Sequence, residues 1–271
     1  MNSPEFDYLK QILYERSGLV VTPEKGYLIE SRLAPLARRS GLDSVNHFIE
    51  KTRRTRDETM LNQIVDAMTT NETLFFRDAW PFERLRKSLL PEVMAMTKVS
   101  RRIRIWSAAC STGAEPYTLA MVASEFAQGI FGLHTSIIAT DLCTAVLDTG
   151  LKGIYPATAV VPVPEAAKRR YIMYSRDTRQ DTVRIVPELR SLVQFGRLNL
   201  MDESYAVDDD MDVIFCRNIL IYFDKPTQEA VLNRLCDHLR PGGYLFLGHS
   251  ESLAGFQLPL RPNGNTVFRR V

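Results

Sequence analysis

Cysteine and histidine are scarce in this 271-residue chain. There are four cysteines, Cys110, Cys143, Cys216 and Cys236, no two of them at C-x-x-C spacing, and four histidines. The chain therefore offers neither a zinc site nor a disulfide framework; no metal is expected, and a reducing compartment fits. Long apolar runs are missing too. The start, MNSPEFDYLKQ, is polar with no apolar signal core, and no window approaches a membrane span. This predicts a cytoplasmic protein without membrane insertion. Excess charge of either sign is lacking: the net charge is +2, whereas a general nucleic-acid binder is more often strongly basic, so no nucleic-acid partner is expected. There is no G-x-G-x-x-G and no glycine-rich loop ending in Lys-Ser/Thr, so a pyrophosphate ligand is not indicated. No Ser-His-Asp or Cys-His arrangement is legible. With 45% apolar and 24% charged residues, the chain has the composition of an ordinary globular protein, long enough for one large domain plus a small one.

The chain is organised around Ile103–Leu119, IRIWSAACSTGAEPYTL. A short apolar run stops at the small residues Ser107 to Gly113, and Pro116 sits where a helix takes its first turn. Strand, tight loop and helix form the opening unit of a doubly wound α/β sheet, whose ligands sit beyond the carboxyl ends of the strands. The same stretch also reads as a βα corner that binds nothing.

Before it, residues 1 to about 75 contain no convincing strand. Apolar residues recur at helical spacing in four runs: Phe6 to Leu13, Leu28 to Leu36, Val45 to Ile49 and Met60 to Met68. Asp43 or Ser44 is the expected cap of the third run, and Pro35 should kink or interrupt the second. Between Ser31 and Arg56 lie Arg32, Arg38, Arg39, Lys51, Arg53, Arg54 and Arg56 against only Asp43 and Glu50. This surplus is either a solvated face or a docking face for an acidic partner. Thr69–Asp78, TTNETLFFRD, bunches polar residues at a domain junction, where clefts often hold ligands. A Pro-bounded helix over Pro81–Leu90 leads on to the central strand.

After Leu119 the α/β alternation continues. Thr135–Asp141 reads as a buried strand ending in an acid. Asp141 occupies the place where a carboxylate accepts ribose hydroxyls in nucleotide sites, or it caps the helix over Thr144–Gly150; the two roles are compatible. Tyr171–Tyr174 and Thr182–Val186 interrupt the alternation as an inserted antiparallel hairpin. Leu192–Phe195 leads to Asn199-Leu200, Asp212–Cys216 ends in Arg217-Asn218, and a helix runs from Pro226 to Leu239. Tyr244–Gly248 and Thr266–Val271 suggest a closing antiparallel hairpin. Asp141, Asn199, Arg217 and Asn218 fall just past strand ends and Glu115 at a helix start, so they converge on one edge of the sheet. Two acids there repel phosphates and favour adenosine carrying a cation, as in S-adenosylmethionine, over NAD or ATP.

Six strings occur in order along the chain: TNETLFFRD (Thr70–Asp78), WSAACSTGAEPYTLAM (Trp106–Met121), ATDL (Ala139–Leu142), FGRLNL (Phe195–Leu200), IFCRNILIYFDKPTQ (Ile214–Gln228) and PGGYLFLGHSES (Pro241–Ser252). Together they resemble the chemotaxis-receptor protein-glutamate methyltransferases, the CheR family. IFCRNILIYF is the most specific of them. The resemblance implies a Rossmann-like class I S-adenosylmethionine-dependent methyltransferase sheet over 76–271. With it come an N-terminal all-α domain over 1–75 and a small antiparallel β-subdomain at about 170–192. It implies methyl transfer from S-adenosylmethionine to receptor glutamates, with S-adenosylhomocysteine as product. Carried over by position, it places Asn71, Thr73 and Arg77 at the cofactor from the junction, and Glu115 and Asp141 on its methionine and ribose side. Asn199, Leu200, Cys216, Arg217 and Asn218 fall around the rest of the pocket. Arg77 and Tyr222 stand near the transferred methyl as the catalytic pair. The implied partner is the cytoplasmic helical region of chemoreceptors, contacted by the basic face around Arg32, Arg38, Arg39, Arg53 and Arg54, with the enzyme a monomer. One departure is the loop Ser175–Thr182, SRDTRQDT, which has no glycine, whereas members that tether to a receptor's C-terminal peptide have a glycine-rich loop there. Two other readings use the same residues. The cofactor half could act on a small molecule or nucleic acid, which the absence of a D/N-P-P-Y-type string opposes. A receptor-binding module without catalysis is opposed by the intact Arg77 and Tyr222.

Overall fold

The apolar stripes of the first seventy residues close on one another. The computed structural model describes residues 4–97, 101–177 and 179–271; the first three residues of the polar start and Thr178 of the SRDTRQDT loop lie outside them. Helices α1 (Pro4–Ser17), α2 (Gly26–Arg39), α3 (Val45–Thr55) and α4 (Glu58–Met68) bury Leu9, Leu13, Ile29, Leu33, Phe48 and Ile64 in one shared cluster. Ser44, not Asp43, caps α3 by accepting the His47 N–H, and Asp57 accepts the Thr59 and Met60 N–H groups at the start of α4. Pro35 does not end α2, which runs on to Arg39.

Arg32 is not part of the exposed basic face. Its guanidinium donates to the Met68 and Thr69 carbonyls and to Thr70 Oγ1, so it closes the end of α4 and fixes the chain that leaves it. Arg38, Arg39, Arg53 and Arg54 are exposed, and none forms an ion pair among the described residues.

The helix expected over Pro81–Leu90 is longer and has a wide turn in it. Helix α5 (Ala79–Arg84) passes through a π turn at Leu85–Leu89, where the Leu90 N–H reaches Leu85 O, into α6 (Leu90–Met96). The turn falls directly before Pro91, whose missing N–H breaks the regular ladder.

Then the sheet begins. Strands β1 (Arg102–Ala108) and β2 (His134–Asp141) are separated by α7 (Ala114–Ala127), and β2 leads into α8 (Thr144–Lys152). A short strand β3 (Ile154–Pro156) precedes α9 (Glu165–Tyr171), β4 (Ile172–Tyr174), β5 (Thr182–Ile185) and α10 (Pro187–Arg190). Next come β6 (Val193–Arg197), β7 (Met211–Cys216), α11 (Lys225–His238), β8 (Leu239–Phe246), β9 (Leu260–Pro262) and β10 (Val267–Arg270). The large sheet has the order β6-β2-β1-β7-β8-β10-β9; the first five strands are parallel, and β10 runs antiparallel to β8 and β9. Strand β9, too short to show a period, is the addition to the closing hairpin expected from the sequence. The inserted hairpin is present as β4 and β5, and it recruits the three-residue β3 as a third antiparallel strand.

Every residue of β7 is buried, as for a strand covered on both faces. Alternation along β1 sends Ile103 and Ile105 to the face covered by α5 to α7 and Trp106 to the face covered by α11. The chain winds outward from β1 through β2 to β6, then returns to β7 beside β1. That reversal opens a crevice at the carboxyl ends of β1 and β7.

Gly150 marks the tightest approach of α8 to the sheet, since a Cβ there would sit 2.5 Å from the Phe195 ring. Alanine is otherwise the better helix former by about 0.5–1 kcal/mol. Gly150→Ala is nonetheless expected to lose about 1–2 kcal/mol through overpacking, read as a lower urea midpoint at constant slope. A stabilised variant would contradict the packing described.

Candidate active site

Past Ala108 the chain takes three left-handed positions, Ala109, Ser111 and Gly113, with φ of 59°, 52° and 90°. Only glycine suits the last of these. A Cβ at Gly113 would lie 3.0 Å from the Phe195 ring and 3.1 Å from both Gly150 Cα and the Tyr155 hydroxyl oxygen. Asp141, the last residue of β2, fixes this loop from the neighbouring strand. Its Oδ2 accepts the Ser111 N–H at 2.8 Å and its Oδ1 the Cys143 N–H at 3.0 Å. Asp141 is thus not the cap of α8, which is Cys143; it clamps two loops from two residues earlier. Burial pushes its carboxyl above the ordinary range, against the amide hydrogen bonds that favour the ionised form.

Arg217 follows the end of β7, and its side chain is 2% exposed. One Nη donates to Glu115 Oε2 at 3.1 Å; the other donates to Asp78 Oδ2 at 2.8 Å and to the Arg77 carbonyl at 3.1 Å. The guanidinium lies 5.6 Å from the centre of the Phe82 ring. Glu115, at the first turn of α7, takes the Ser107 hydroxyl on its other oxygen at 2.8 Å. The junction segment is drawn in by further contacts: Ser111 Oγ donates to the Asn71 carbonyl at 2.7 Å, and the Phe76 N–H donates to Thr118 Oγ1 at 3.1 Å.

These contacts enclose a cleft of about 1130 Å³, open mouth included, between the junction and the sheet edge. Asn71, Thr73, Arg77, Glu115, Asp141, Asn199, Leu200, Arg217, Asn218 and Tyr222 all line it. Cys216 does not: it is fully buried in the core beside β1, because it still belongs to the strand. Asn199 lines the wall with its amide already engaged, donating to the Arg16 carbonyl at 2.7 Å and accepting the Met201 N–H at 3.0 Å. It ties α1 to the exit of β6. Arg77 commits one N–H to the Glu72 carbonyl at 3.1 Å.

Several wall residues carried no sequence signal. Ser17 and Leu19 arrive from the end of α1, and the exposed Leu74 and Ile221 stand at the mouth. Glu251 lies behind the wall, its carboxylate receiving the backbone N–H groups of Asn218, Ile219, Leu220 and Gly248. The GHSES string marked its position without suggesting its contacts.

The lining holds three carboxylates, Glu72, Glu115 and Asp141, against two guanidinia, Arg77 and Arg217. Since Arg217 is also paired with Asp78, the cleft retains an acidic balance that suits a ligand with hydroxyls and positive charge and disfavours phosphates. Among the described residues no His/Cys/Asp/Glu group is arranged to hold a metal, and no helix is long and apolar enough to cross a membrane.

The doubly wound sheet with an acid at the end of its second strand, beside an acidic cleft, fits an S-adenosylmethionine-dependent methyltransferase. The chain belongs to the CheR methyltransferase family: the family's "all-alpha domain" matches residues 4–69 and its "SAM binding domain" residues 71–268. It is similar to a chemotaxis protein methyltransferase of Vibrio anguillarum, 41% identical over 94% of this chain and 91% of the relative. It is similar also to the chemotaxis protein methyltransferase Cher2 of Pseudomonas putida, 37% identical over 93% and 91%. A Salmonella typhimurium chemotaxis protein methyltransferase is 32% identical over 99% and 90%. The chain is accordingly an S-adenosylmethionine-dependent methyltransferase.

The acidic cleft makes a pH-dependent prediction. If Asp141 accepts the ligand's ribose hydroxyls, protonating it weakens that acceptor. Calorimetric affinity for S-adenosylhomocysteine should therefore fall on acidification with a midpoint above the ordinary aspartate value of about 3.9. Asp141→Asn should bind more weakly and without that pH dependence. An Asp141→Asn variant of unchanged affinity would reduce the residue to a loop clamp.

Proposed function

We propose that the enzyme transfers methyl to glutamate side chains in the cytoplasmic helical region of chemoreceptors, giving glutamate methyl esters and S-adenosylhomocysteine. The observation that carries this reading is the composition of the cleft: the acids Glu72, Glu115 and Asp141, Arg77 and Tyr222 in the wall, and, among the described residues, no histidine or lysine in the lining to serve as general base. The names of the relatives support the receptor as substrate. A glutamate with a pKa near about 4.3 is ionised at neutral pH, so none of these side chains has to remove a proton.

Bound S-adenosylmethionine contributes an electrophilic methyl carbon on a positively charged sulfur. Asp141 is the group that holds the ribose hydroxyls, and Glu115 and Asn71 lie on the amino-acid side. Asn218 and Leu200 line the remainder; Asn199 and Arg217 hold the walls in place, and Cys216 supports them from within the strand. Arg77 makes a single contact to the incoming carboxylate, because a tight bidentate pair would orient it yet weaken it as a nucleophile. Tyr222 and Thr73 complete the reacting end. The work is alignment, which supplies up to roughly 7–11 kcal/mol of a barrier. Leu74 and Ile221 keep water from a reaction in which opposite charges cancel. Arg38, Arg39, Arg53 and Arg54 attract the acidic receptor helices, while Arg32 serves the fold.

The test uses labelled cofactor and purified receptor cytoplasmic fragments. Label released by alkali as methanol marks an ester; a base-stable label, or none on the receptor, contradicts the proposal. Arg77→Ala should lower the rate by about 10- to 100-fold through lost orientation, and a wild-type rate would remove its role.

A further inference from the structure

Three successive amides, those of Asn218, Ile219 and Leu220, converge on one buried carboxylate. Glu251 Oε1 accepts the Ile219 N–H at 2.9 Å and the Leu220 N–H at 2.8 Å. Its Oε2 accepts the Asn218 N–H at 3.0 Å and the Gly248 N–H at 2.6 Å. Successive N–H groups turned one way form an anion-binding concavity. Here it arises where Asn218 takes φ of 60°, and it is filled from within the chain. The fit leaves no room for another side chain, since a Cβ at Gly248 would lie 2.7 Å from Asn218 Nδ2 and 2.9 Å from Glu251 Oε2.

The carbonyls of the same turn are held from the opposite side. Gln228 Nε2 donates to Leu220 O and Phe223 O, each at 3.0 Å, and the Val20 N–H donates to Tyr222 O at 3.1 Å. The turn that presents Asn218, Ile221 and Tyr222 to the cleft thus has its first three N–H groups on the Glu251 side chain and its carbonyls held by the Gln228 side chain and the Val20 backbone. Glu251 itself does not line the cleft.

We propose that Glu251 is a positioning residue for methyl transfer, acting through the 218–222 turn to set Tyr222 and Asn218 against the bound reactants. This rests on the role given to Tyr222 above. The chemistry of the site explains why a carboxylate is needed. Glutamine has the same size, but whichever way its amide is turned, the NH₂ faces two N–H donors. The turn must then shift, and a displacement of about 1 Å at a reacting centre can cost on the order of 100-fold in rate.

The experiment compares wild type with Glu251→Gln, each with and without Tyr222→Phe, after circular dichroism and melting have established folding. The expected result is an unchanged KM for the receptor fragment and a kcat lower by about 100-fold. Tyr222→Phe should then cost less in the Glu251→Gln background than in wild type, because both act on one element. A folded Glu251→Gln enzyme with wild-type kcat, or a Tyr222→Phe cost that is the same in both backgrounds, overturns the proposal. Should Glu251→Gln not fold, Glu251→Asp keeps the charge with a shorter reach. It should lose less rate with the same non-additivity, and full activity in it overturns the proposal. A wild type that transfers no methyl to receptors defeats the proposed function instead. Affinity for S-adenosylhomocysteine then still decides: weakened binding in Glu251→Gln supports the positioning role and unchanged binding overturns it.

Discussion

A guanidinium taken out of water must have its charge paired, and Arg217 has both Nη groups met from three directions at once while its buried Nε has no hydrogen-bond partner. Its side chain is 2% exposed, yet it reaches Glu115 on α7, Asp78 in the junction and the Arg77 carbonyl. Removing one partner of such a buried pair costs about 3–5 kcal/mol, while the intact pair adds little net stability. Its value here is geometric. The three segments that must meet around the cleft have one arrangement in which the buried charge is paired. Because Asp78 and Glu115 neutralise it, Arg217 does not make the cleft basic.

The same economy joins the helical layer to the sheet. Asn199 holds the end of α1 through the Arg16 carbonyl, Val20 donates to Tyr222, and Ser111 holds Asn71. Arg32, in turn, grips the chain as it leaves α4. The N-terminal helices therefore contribute part of the cleft wall as well as an exposed basic surface. Left-handed residues crowd this region: Phe76, Asp78, Ala109, Ser111 and Asn218 all have positive φ without being glycine. Such positions persist only where surrounding contacts over-determine them, and each of these lies within the network just described or next to it.

Local pattern made the frame of the protein readable. Helical spacing marked α1 to α4, apolar runs marked β1, β2 and β7, and Pro116 and Gly113 marked the loop between strand and helix. Most of the cleft followed, because residues just past the ends of parallel strands must share one edge of the sheet. What stayed hidden depended on long-range partners or on very short elements. Strands β3 and β9 are three residues each, too few for a period. Cys216 and Arg217 are adjacent, and nothing local says that the first ends inside the core while the second bonds across the junction. Arg32 looked like one more surface cation until the end of α4 arrived beside it. Asn199 and Glu251 are the same case: a polar side chain whose partners lie far away in the chain.

Arg217 is committed to the junction, which in the proposed reaction leaves Asp141 to meet the ligand. A crystal structure with S-adenosylhomocysteine tests it most directly. The expected structure has the nucleoside in the cleft, its ribose hydroxyls on Asp141, and Arg217 still paired with Asp78 and Glu115 without touching the ligand. A ligand lodged elsewhere, or an Arg217 that leaves those carboxylates to bind it, would overturn this division of roles.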